Sequence, residues 1–321
     1  SYQNRRAFQF EWQAFQREKI DEFLAGLDGS LAIVAPNLPL LATLPNNAFT
    51  PAETRTGMNR EPNGRFFDIN GCAAESNADV PLYSLNYPSC QACYTLMRSQ
   101  NPDTPILNMK SDIKISPDMS PESVFAFVRS TLWEAVISGA NGMALSAGSD
   151  VFQYPEALEA YVTAAQDINR LAPVIVAFQR AVPEVGILFS EASKIMDNGV
   201  PHLESAQYAF EGSSFAGFPV RFITEKQVEA GVLAEIKVLI LASTMAIPDA
   251  AFEQVSKFVE DGVMVARVYL GAHNPLDVRR HPVGDQRAAL RIAFIGFGPR
   301  RAKLPEQQEN TEEIRKASLH E

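Results

Sequence analysis

The stretch NPDTPILNMKSDIKISPDMSPESVFAFVRSTLWEAVISGANGMALSAG, residues 101–148, decides the fold. It contains a short apolar run (Pro105–Met109), a polar loop, a segment of helical periodicity ending near Ser138, and a second apolar run (Gly142–Ser146). Two short apolar runs joined by a helix predict a parallel βα unit. In a parallel α/β barrel the functional groups lie where such strands end. We therefore expect the informative residues at Asn108–Asp112.

Composition and charge exclude several classes of protein. The chain has 321 residues, 46% hydrophobic and 21% charged, with a formal net charge of −10. These are globular values, and the length suits two domains or one large one. The basic residues are scattered, so no nucleic-acid partner is predicted. Apolar runs are too short for a membrane span and the first residues do not resemble a secretory signal, which favours a cytoplasmic protein.

The cysteines suggest neither a disulfide scaffold nor a metal site. The sequence contains three, Cys72, Cys90 and Cys93, an odd and sparse set. Cys90 and Cys93 have the spacing of a redox or zinc pair, but a structural zinc site needs four ligands and no second pair exists in the sequence. We expect two thiols near the start of a helix, with no metal and no cofactor.

Before the deciding stretch, residues 2–35 show helical periodicity. Their apolar stripe, which includes Phe8, Trp12, Phe15 and Phe23, is interpreted as core. The elements predicted next are, in order, a strand, a short helix, a strand with a polar tip and a helix: Leu40–Leu44, Asp68–Ala74, Asp79–Pro88 and Cys90–Arg98.

After the deciding stretch, a helix over Pro155–Phe178 leads to a boundary near Arg180–Glu184. Short apolar runs then alternate with helices across 184–268, which predicts a doubly wound, flavodoxin-like α/β domain. Its first strand is followed by Ser190–Lys194 and not by a glycine-rich phosphate loop, so a role as scaffold or assembly domain is favoured. Residues 269–321 are expected to be irregular apart from a short helix over Ala289–Gly298.

The order of these segments resembles the family 42 glycoside hydrolases, the β-galactosidases built on retaining (β/α)8 barrels. Asp79–Pro88 is similar to the sixth strand of that barrel, Pro105–Lys110 to the seventh, and Trp133–Met143 to the helix and turn before the eighth. Phe218–Ile223 is similar to part of the family's trimerisation domain. The resemblance implies that residues 1–180 form the later half of a partial (β/α)8 TIM-type barrel, followed by the flavodoxin-like domain.

The resemblance also implies site residues, and here the chain departs from the family. Retaining glycosidases use two carboxyls about 5–5.5 Å apart. Lys110 stands where the family has its nucleophilic glutamate, and the Asn-Glu pair that holds the acid/base is absent from the sequence. Asp112 is either a displaced nucleophile or the partner of Lys110 or Lys114. Asn86, Tyr87 and Asn108 are predicted substrate-binding residues, although Asn86 and Tyr87 are explained nearly as well as ordinary loop polar groups.

Two functions follow from the resemblance. The first is a glycoside hydrolase of β-galactosidase type whose missing parts lie on an upstream segment or a separate chain. The second is a non-catalytic carbohydrate-binding or assembly protein derived from such an enzyme. Half a barrel leaves exposed strand edges, which favours the first. A carbohydrate ligand and a homo-oligomer, most simply a trimer, are expected, and this chain alone is predicted to be inactive.

Overall fold

The computed structural model describes residues 2–45, 48–49, 61, 66–79, 90–196, 200–261, 264–269 and 291–295. The first half of this described chain runs α1 Tyr2–Val34, β1 Leu41–Pro45, β2 Ile69–Ala73, β3 Glu75–Asn77, α2 Cys90–Gln100, β4 Ile106–Lys114, α3 Pro121–Ile137, β5 Gly142–Leu145 and α4 Pro155–Gln179. The second half runs β6 Val185–Phe189, α5 Glu191–Met196, α6 Val200–Phe215, β7 Val220–Thr224, α7 Glu225–Glu229, β8 Val238–Ala242, α8 Asp249–Glu260, β9 Met264–Tyr269 and β10 Arg291–Ile295.

The strands of the first half form one parallel sheet that follows chain order. β1 pairs with β2, β2 with the beginning of β4, β3 with the end of β4, and β5 also pairs with β4. Because β3 begins directly after Ala74, β2 and β3 are two pieces of one interrupted strand. Parallel neighbours joined by helices are the repeating unit of a (β/α)8 barrel. The structure is thus a mixed α/β fold consistent with part of such a barrel.

The second sheet has the order β10-β9-β8-β6-β7. Counted along the chain this is the 2-1-3-4-5 order of flavodoxin-like sheets. β6 to β9 are parallel, whereas β10 pairs with β9 antiparallel. The antiparallel fifth strand departs from an all-parallel doubly wound sheet, and the flavodoxin-like domain stays a prediction.

Helix α2 lies in the core that the two halves share. One cluster of buried side chains contains Cys72 and Ile106 from the first sheet, Met97 from α2, and Ile187 and Phe222 from the second sheet. An amphipathic surface helix has one apolar face, but α2 is buried against both sheets. The chain passes from one sheet to the other near the predicted boundary, and the packing of the two halves is nevertheless continuous.

Two hydrogen bonds add to this packing at the end of α2. The backbone N–H of Phe222 on β7 donates to Ser99 Oγ at 3.1 Å. The side-chain amide of Gln227 on α7 donates to the carbonyl oxygen of Ser99 at 2.7 Å. The last turn of α2 therefore uses its polar groups to hold the second half of the chain.

Several predictions of local structure are wrong. The short helix expected over Asp68–Ala74 is strand β2, and the helix expected over Ala289–Gly298 contains strand β10. Both segments gain a backbone partner distant in sequence, β1 and β9, which local periodicity does not reveal. Residues 269–321 are accordingly not irregular throughout. Most of the predicted strand Asp79–Pro88 lies outside the described residues.

The apolar stripe of α1 is not core within the described part of the chain. Phe8 and Phe23 are 71% and 69% exposed, and Trp12 and Phe15 are about half exposed. The helix itself is confirmed, but the expectation that this face is buried is wrong, because no described element packs over it. No described helix is both long enough and apolar enough to cross a bilayer.

Gly71 allows β2 to approach β1, and its replacement tests this arrangement. A Cβ at Gly71 would lie 2.5 Å from the carbonyl oxygen of Ala42. We expect Gly71→Ala to lower the free energy of unfolding by about 1–3 kcal/mol, because backbone must move. Gly212→Ala is the control: nothing lies within 4 Å of its Cβ position, and it should stabilise helix α6 by about 0.5–1 kcal/mol. Urea unfolding measures both, and effects of equal sign would contradict this role of Gly71.

Candidate functional site

Lys110 lies in a bulge of β4, not at the end of the strand. The register with β5 shifts between Asn108 and Ser111, and β4 continues to Lys114. The prediction that the strand ends at Met109 and a polar loop begins there is therefore wrong. The bulge turns Lys110 outward, where its Nζ lies 3.3 Å from Glu75 Oε1 with side chains 55% and 57% exposed. An ion pair this exposed contributes little to stability.

Asp112 lies beyond the bulge and is buried. Its Oδ1 lies 3.2 Å from Lys114 Nζ, so Lys114 is the lysine that pairs with it. Glu75 on β3 is its register partner on the neighbouring strand. Glu75, the first residue of β3, and Asp112, near the end of β4, are thus two carboxylates on adjacent strands, each with its own lysine.

Asn108 is used inside the protein. Its Nδ2 donates to the carbonyl oxygen of Ala74 at 2.9 Å and to Tyr94 Oη at 2.9 Å. Its Oδ1 accepts from the Ala74 N–H at 3.1 Å. The side chain replaces the backbone pairing that is lost between β2 and β3, and both of its N–H donors are taken. This geometry favours a structural role over the predicted contact with substrate. The other two predicted substrate residues, Asn86 and Tyr87, lie outside the described residues.

The three cysteines are buried, and none of them is in a disulfide. Burial raises the pKa of the Cys90 thiol to about 12, which keeps it protonated and unreactive at neutral pH. Within the described ranges no group of histidine, cysteine and carboxylate side chains is arranged to hold a metal ion. Cys90 and Cys93 have the place in the fold that the sequence predicts, at the start of helix α2.

A second polar site lies at the carboxyl ends of the strands of the second sheet. Ser190, Glu225 and Ser243 directly follow β6, β7 and β8. Ser190 Oγ lies 2.6 Å from Glu225 Oε1, which also accepts from the backbone N–H of Ala192 at 3.4 Å. Burial raises the pKa of Glu225 to about 7. A carboxyl group whose pKa lies near 7 marks a candidate functional site.

His202 orders this network without acting on the Ser190 hydroxyl. Its Nε2 accepts from the backbone N–H of Ser190 at 2.9 Å, and its Nδ1 lies 2.6 Å from the Ala242 carbonyl oxygen. These partners require the neutral tautomer with a proton on Nδ1. Burial lowers the pKa of His202 to about 4. Because its acceptor nitrogen contacts a backbone N–H, the serine, histidine and glutamate do not form a hydrolase triad.

The loop after β8 closes the crevice where doubly wound sheets bind ligands. That crevice lies outside the strand ends at the point where the strand order reverses, here between β6 and β8. Ser193 Oγ donates to the carbonyl oxygen of Ala246 at 2.6 Å and accepts from the N–H groups of Met245 and Ala246 at 3.0 Å each. Ser190 Oγ lies 3.0 Å from the same carbonyl oxygen. Protein therefore fills the crevice.

Helix α1 is attached to this edge by a buried ion cluster. Glu191 contacts Arg17 at 2.6 Å and Lys194 at 2.7 Å, and Lys194 also lies over the ring of Phe189. Burial alone would raise the pKa of Glu191, but the two cations outweigh it and lower the pKa to about 2. A cleft of about 580 Å³ remains between α1 and the strand ends, and Glu61, Thr224 and Lys226 line it as well.

Comparison with known proteins gives a fold and no closer relationship. No family model and no curated protein matches the sequence. Solved structures do match. An exo-carrageenase GH42 from Bacteroides ovatus is 17% identical with a TM-score of 0.65, over 80% of this chain and 38% of that one. The chain shares its fold with family 42 glycoside hydrolases.

Two further structures agree. A β-galactosidase from the psychrophilic Marinomonas ef1 is 12% identical with a TM-score of 0.57, over 77% of this chain and 42% of that one. A catalytic mutant of a GH42 β-galactosidase from G. stearothermophilus is 13% identical with a TM-score of 0.60, over 77% and 40%. This chain thus spans less than half the length of these proteins. The predicted family resemblance is confirmed at the level of fold.

The sequence offered a signal for the first site but little for the second. Lys110 and Asp112 are identified by comparing the end of one predicted strand with the corresponding pattern of the family. Ser190, Ser193, Glu225 and His202 come together because three strand ends meet, which requires the strand order. The run Ser190–Lys194 was the available signal, since polar residues directly after a buried strand indicate a functional edge in a parallel sheet.

Glu225 should make the stability of the protein depend on pH. Its pKa is raised from 4.5 to about 7, so between these values the folded state holds a proton that the unfolded state has lost. This contribution is complete below pH 4.5 and is lost as the pH rises through 7. Relative to wild type, Glu225→Gln should therefore gain about 1–3 kcal/mol in free energy of unfolding between pH 4 and pH 8.

Urea unfolding at the two pH values measures this difference. Glu229→Gln, on the exposed side of the same helix α7, is the matched control and should show no such gain. A Glu225→Gln variant whose stability follows that of wild type at both pH values would contradict the assignment.

Proposed function

We propose that this chain belongs to a glycoside hydrolase of β-galactosidase type and does not itself supply the catalytic carboxyl pair. One observation carries the proposal. Lys110 occupies the bulge of β4, at the position where the resemblance places a nucleophilic glutamate, and pairs with Glu75. The likeness of the fold to family 42 structures supports the class of protein, and Lys110 supports the lack of activity.

The chemistry of Lys110 opposes retaining hydrolysis. An ammonium group cannot form the glycosyl ester intermediate, and a cation destabilises an adjacent oxocarbenium ion. Effective nucleophilic attack also requires accurate placement of the reacting atoms. Asp112, two residues further along β4, is buried and held by Lys114. It is therefore a poor substitute for the glutamate.

Glu75 and Asp112 are the closest approach to a catalytic pair at this edge. They are register partners on adjacent parallel strands, so their Cα atoms are about 5 Å apart. Each carboxylate is already engaged by a lysine, however. Carbohydrate binding without hydrolysis is the alternative that this charge arrangement favours. The carbohydrate ligand and the trimer rest on the resemblance and stay predictions.

Hydrolysis of a nitrophenyl β-galactoside tests the proposal. We expect no turnover above the buffer blank from the protein purified from its native source, because loss of a covalent nucleophile lowers rates by several orders of magnitude. A Lys110→Glu variant of a full-length protein that also carries the barrel half with the acid/base should gain measurable turnover. Lys257→Glu on α8 makes the same charge change at an exposed position remote from this edge and should gain none.

The decisive opposite result involves Asp112. Turnover by the unmodified protein that Asp112→Asn abolishes would identify Asp112 as the nucleophile, and the proposed inactivity would then be wrong.

A further inference from the structure

A polar cleft lies on the opposite side of the molecule, at the amino ends of β4 and β5. It has a volume of about 470 Å³ and is bordered by the ends of α2 and α4, the link 180–183 and the beginning of the second sheet. Of the described residues that line it, three are arginines, Arg98, Arg180 and Arg221, and one, Asp103, is acidic. In a chain of net charge −10 this is a local concentration of positive charge.

Arg98 is a half-buried cation whose contacts are neutral. Its guanidinium donates to the carbonyl oxygens of Pro102 and Gly139 at 2.8 and 2.7 Å and to Asn141 Oδ1 at 2.7 Å. A weaker contact reaches Gln179 Oε1 at 3.4 Å. These oxygens fix the guanidinium in place, but none carries a formal charge. A fixed cation of this kind is costly to bury unless a negative charge compensates it.

The donors of this cluster are incompletely used. Among the described residues, the buried Nε atoms of Arg98 and Arg221 have no hydrogen-bond acceptor. Burial lowers the pKa of Arg98, with Asp103 opposing that shift. Buried N–H groups without an acceptor are uncommon in folded proteins and need an explanation. An anion in the cleft would supply both the acceptor and the charge.

The other two arginines differ in their surroundings. Arg221 places one nitrogen 2.8 Å from Glu235 Oε2, so part of its charge is already balanced. Arg180 directly follows α4 and is exposed, and it has no ion-pair partner in the described part of the chain. Arg98 is therefore preorganised, while Arg180 is an exposed cation that lines the same cleft.

We propose that this cleft binds a phosphate-type oxyanion. Guanidinium groups match the oxygens of phosphate in geometry and charge, and charge-assisted hydrogen bonds of this kind are strong. With Arg221 largely balanced by Glu235, the cleft retains a net positive charge against the single carboxylate of Asp103. A phosphate presents more acceptor oxygens than a carboxylate and so can contact several arginines at once. The site is remote from Lys110 and does not depend on the proposed function.

Thermal unfolding of the full chain, with inorganic phosphate as the probe, tests the proposal. At pH 7 and constant ionic strength, replacing chloride by phosphate should raise Tm in a saturable way, because a ligand that binds the folded state stabilises it. Acetate at the same ionic strength should not. A hexose phosphate forms a third arm: tighter binding than inorganic phosphate identifies a phosphate ester as the ligand, and equal binding identifies the free anion.

Two variants localise the effect. Arg180→Gln, at an exposed position that leaves the Arg98 contacts intact, should weaken the apparent affinity for phosphate by about tenfold. Arg170→Gln, on the helix α4 that Arg180 directly follows, removes the same charge outside the cleft and should leave the affinity unchanged. The proposal is overturned if phosphate gives no saturable shift, if acetate is equally effective, or if the two variants respond alike.

Discussion

The structure depends on the burial of one short helix from both sides. Helix α2, Cys90–Gln100, buries Ala92, Cys93, Tyr94, Leu96 and Met97. Full burial of a leucine or methionine side chain stabilises a fold by about 1.5–3 kcal/mol, and here that contribution is divided between two sheets. The polar groups of the helix also join the two halves. Tyr94 contacts Asn108 in the first sheet, and Ser99 accepts hydrogen bonds from Phe222 of β7 and Gln227 of α7. Neither sheet keeps a complete core without α2.

This arrangement determines which polar and charged side chains are used inside the protein and which remain available to a ligand. Asn108 repairs the interruption between β2 and β3 beneath the bulge that exposes Lys110. This bulge presents a cation paired with Glu75. In the second sheet, hydrogen bonds of the buried serines, His202 and Glu225 close the crevice at the strand ends. The cleft around Arg98 differs, because within the described residues the hydrogen bonds of this guanidinium all go to neutral oxygens.

Much of the fold follows from sequence periodicity, and the remainder depends on contacts between distant segments. Helices α1 to α4 and strands β1 and β5 lie close to the predicted bounds, because each has a strong local pattern, whereas β4 continues to Lys114, beyond its predicted end. The strand Ile69–Ala73 was not predicted because its partner β1 is distant in sequence, and the reason for Gly71, the close approach of the Ala42 carbonyl oxygen, appears only when the two strands pair. β10 required its pairing with β9, and the polar network around Ser190 required the strand order. Lys110 was identified from the sequence because comparing a short segment, Pro105–Lys110, with the family pattern requires no knowledge of distant contacts.

The most direct test of the central claim is amide hydrogen exchange followed by mass spectrometry, in wild type and in Met97→Ala. Met97 is fully buried, and removing its side chain should cost about 2–5 kcal/mol. If α2 joins the two halves into one cooperative unit, exchange should accelerate by the same factor in peptides from β2 and β4 and in peptides from β6 and β8. Acceleration confined to one sheet would show that the halves unfold independently and would contradict this account.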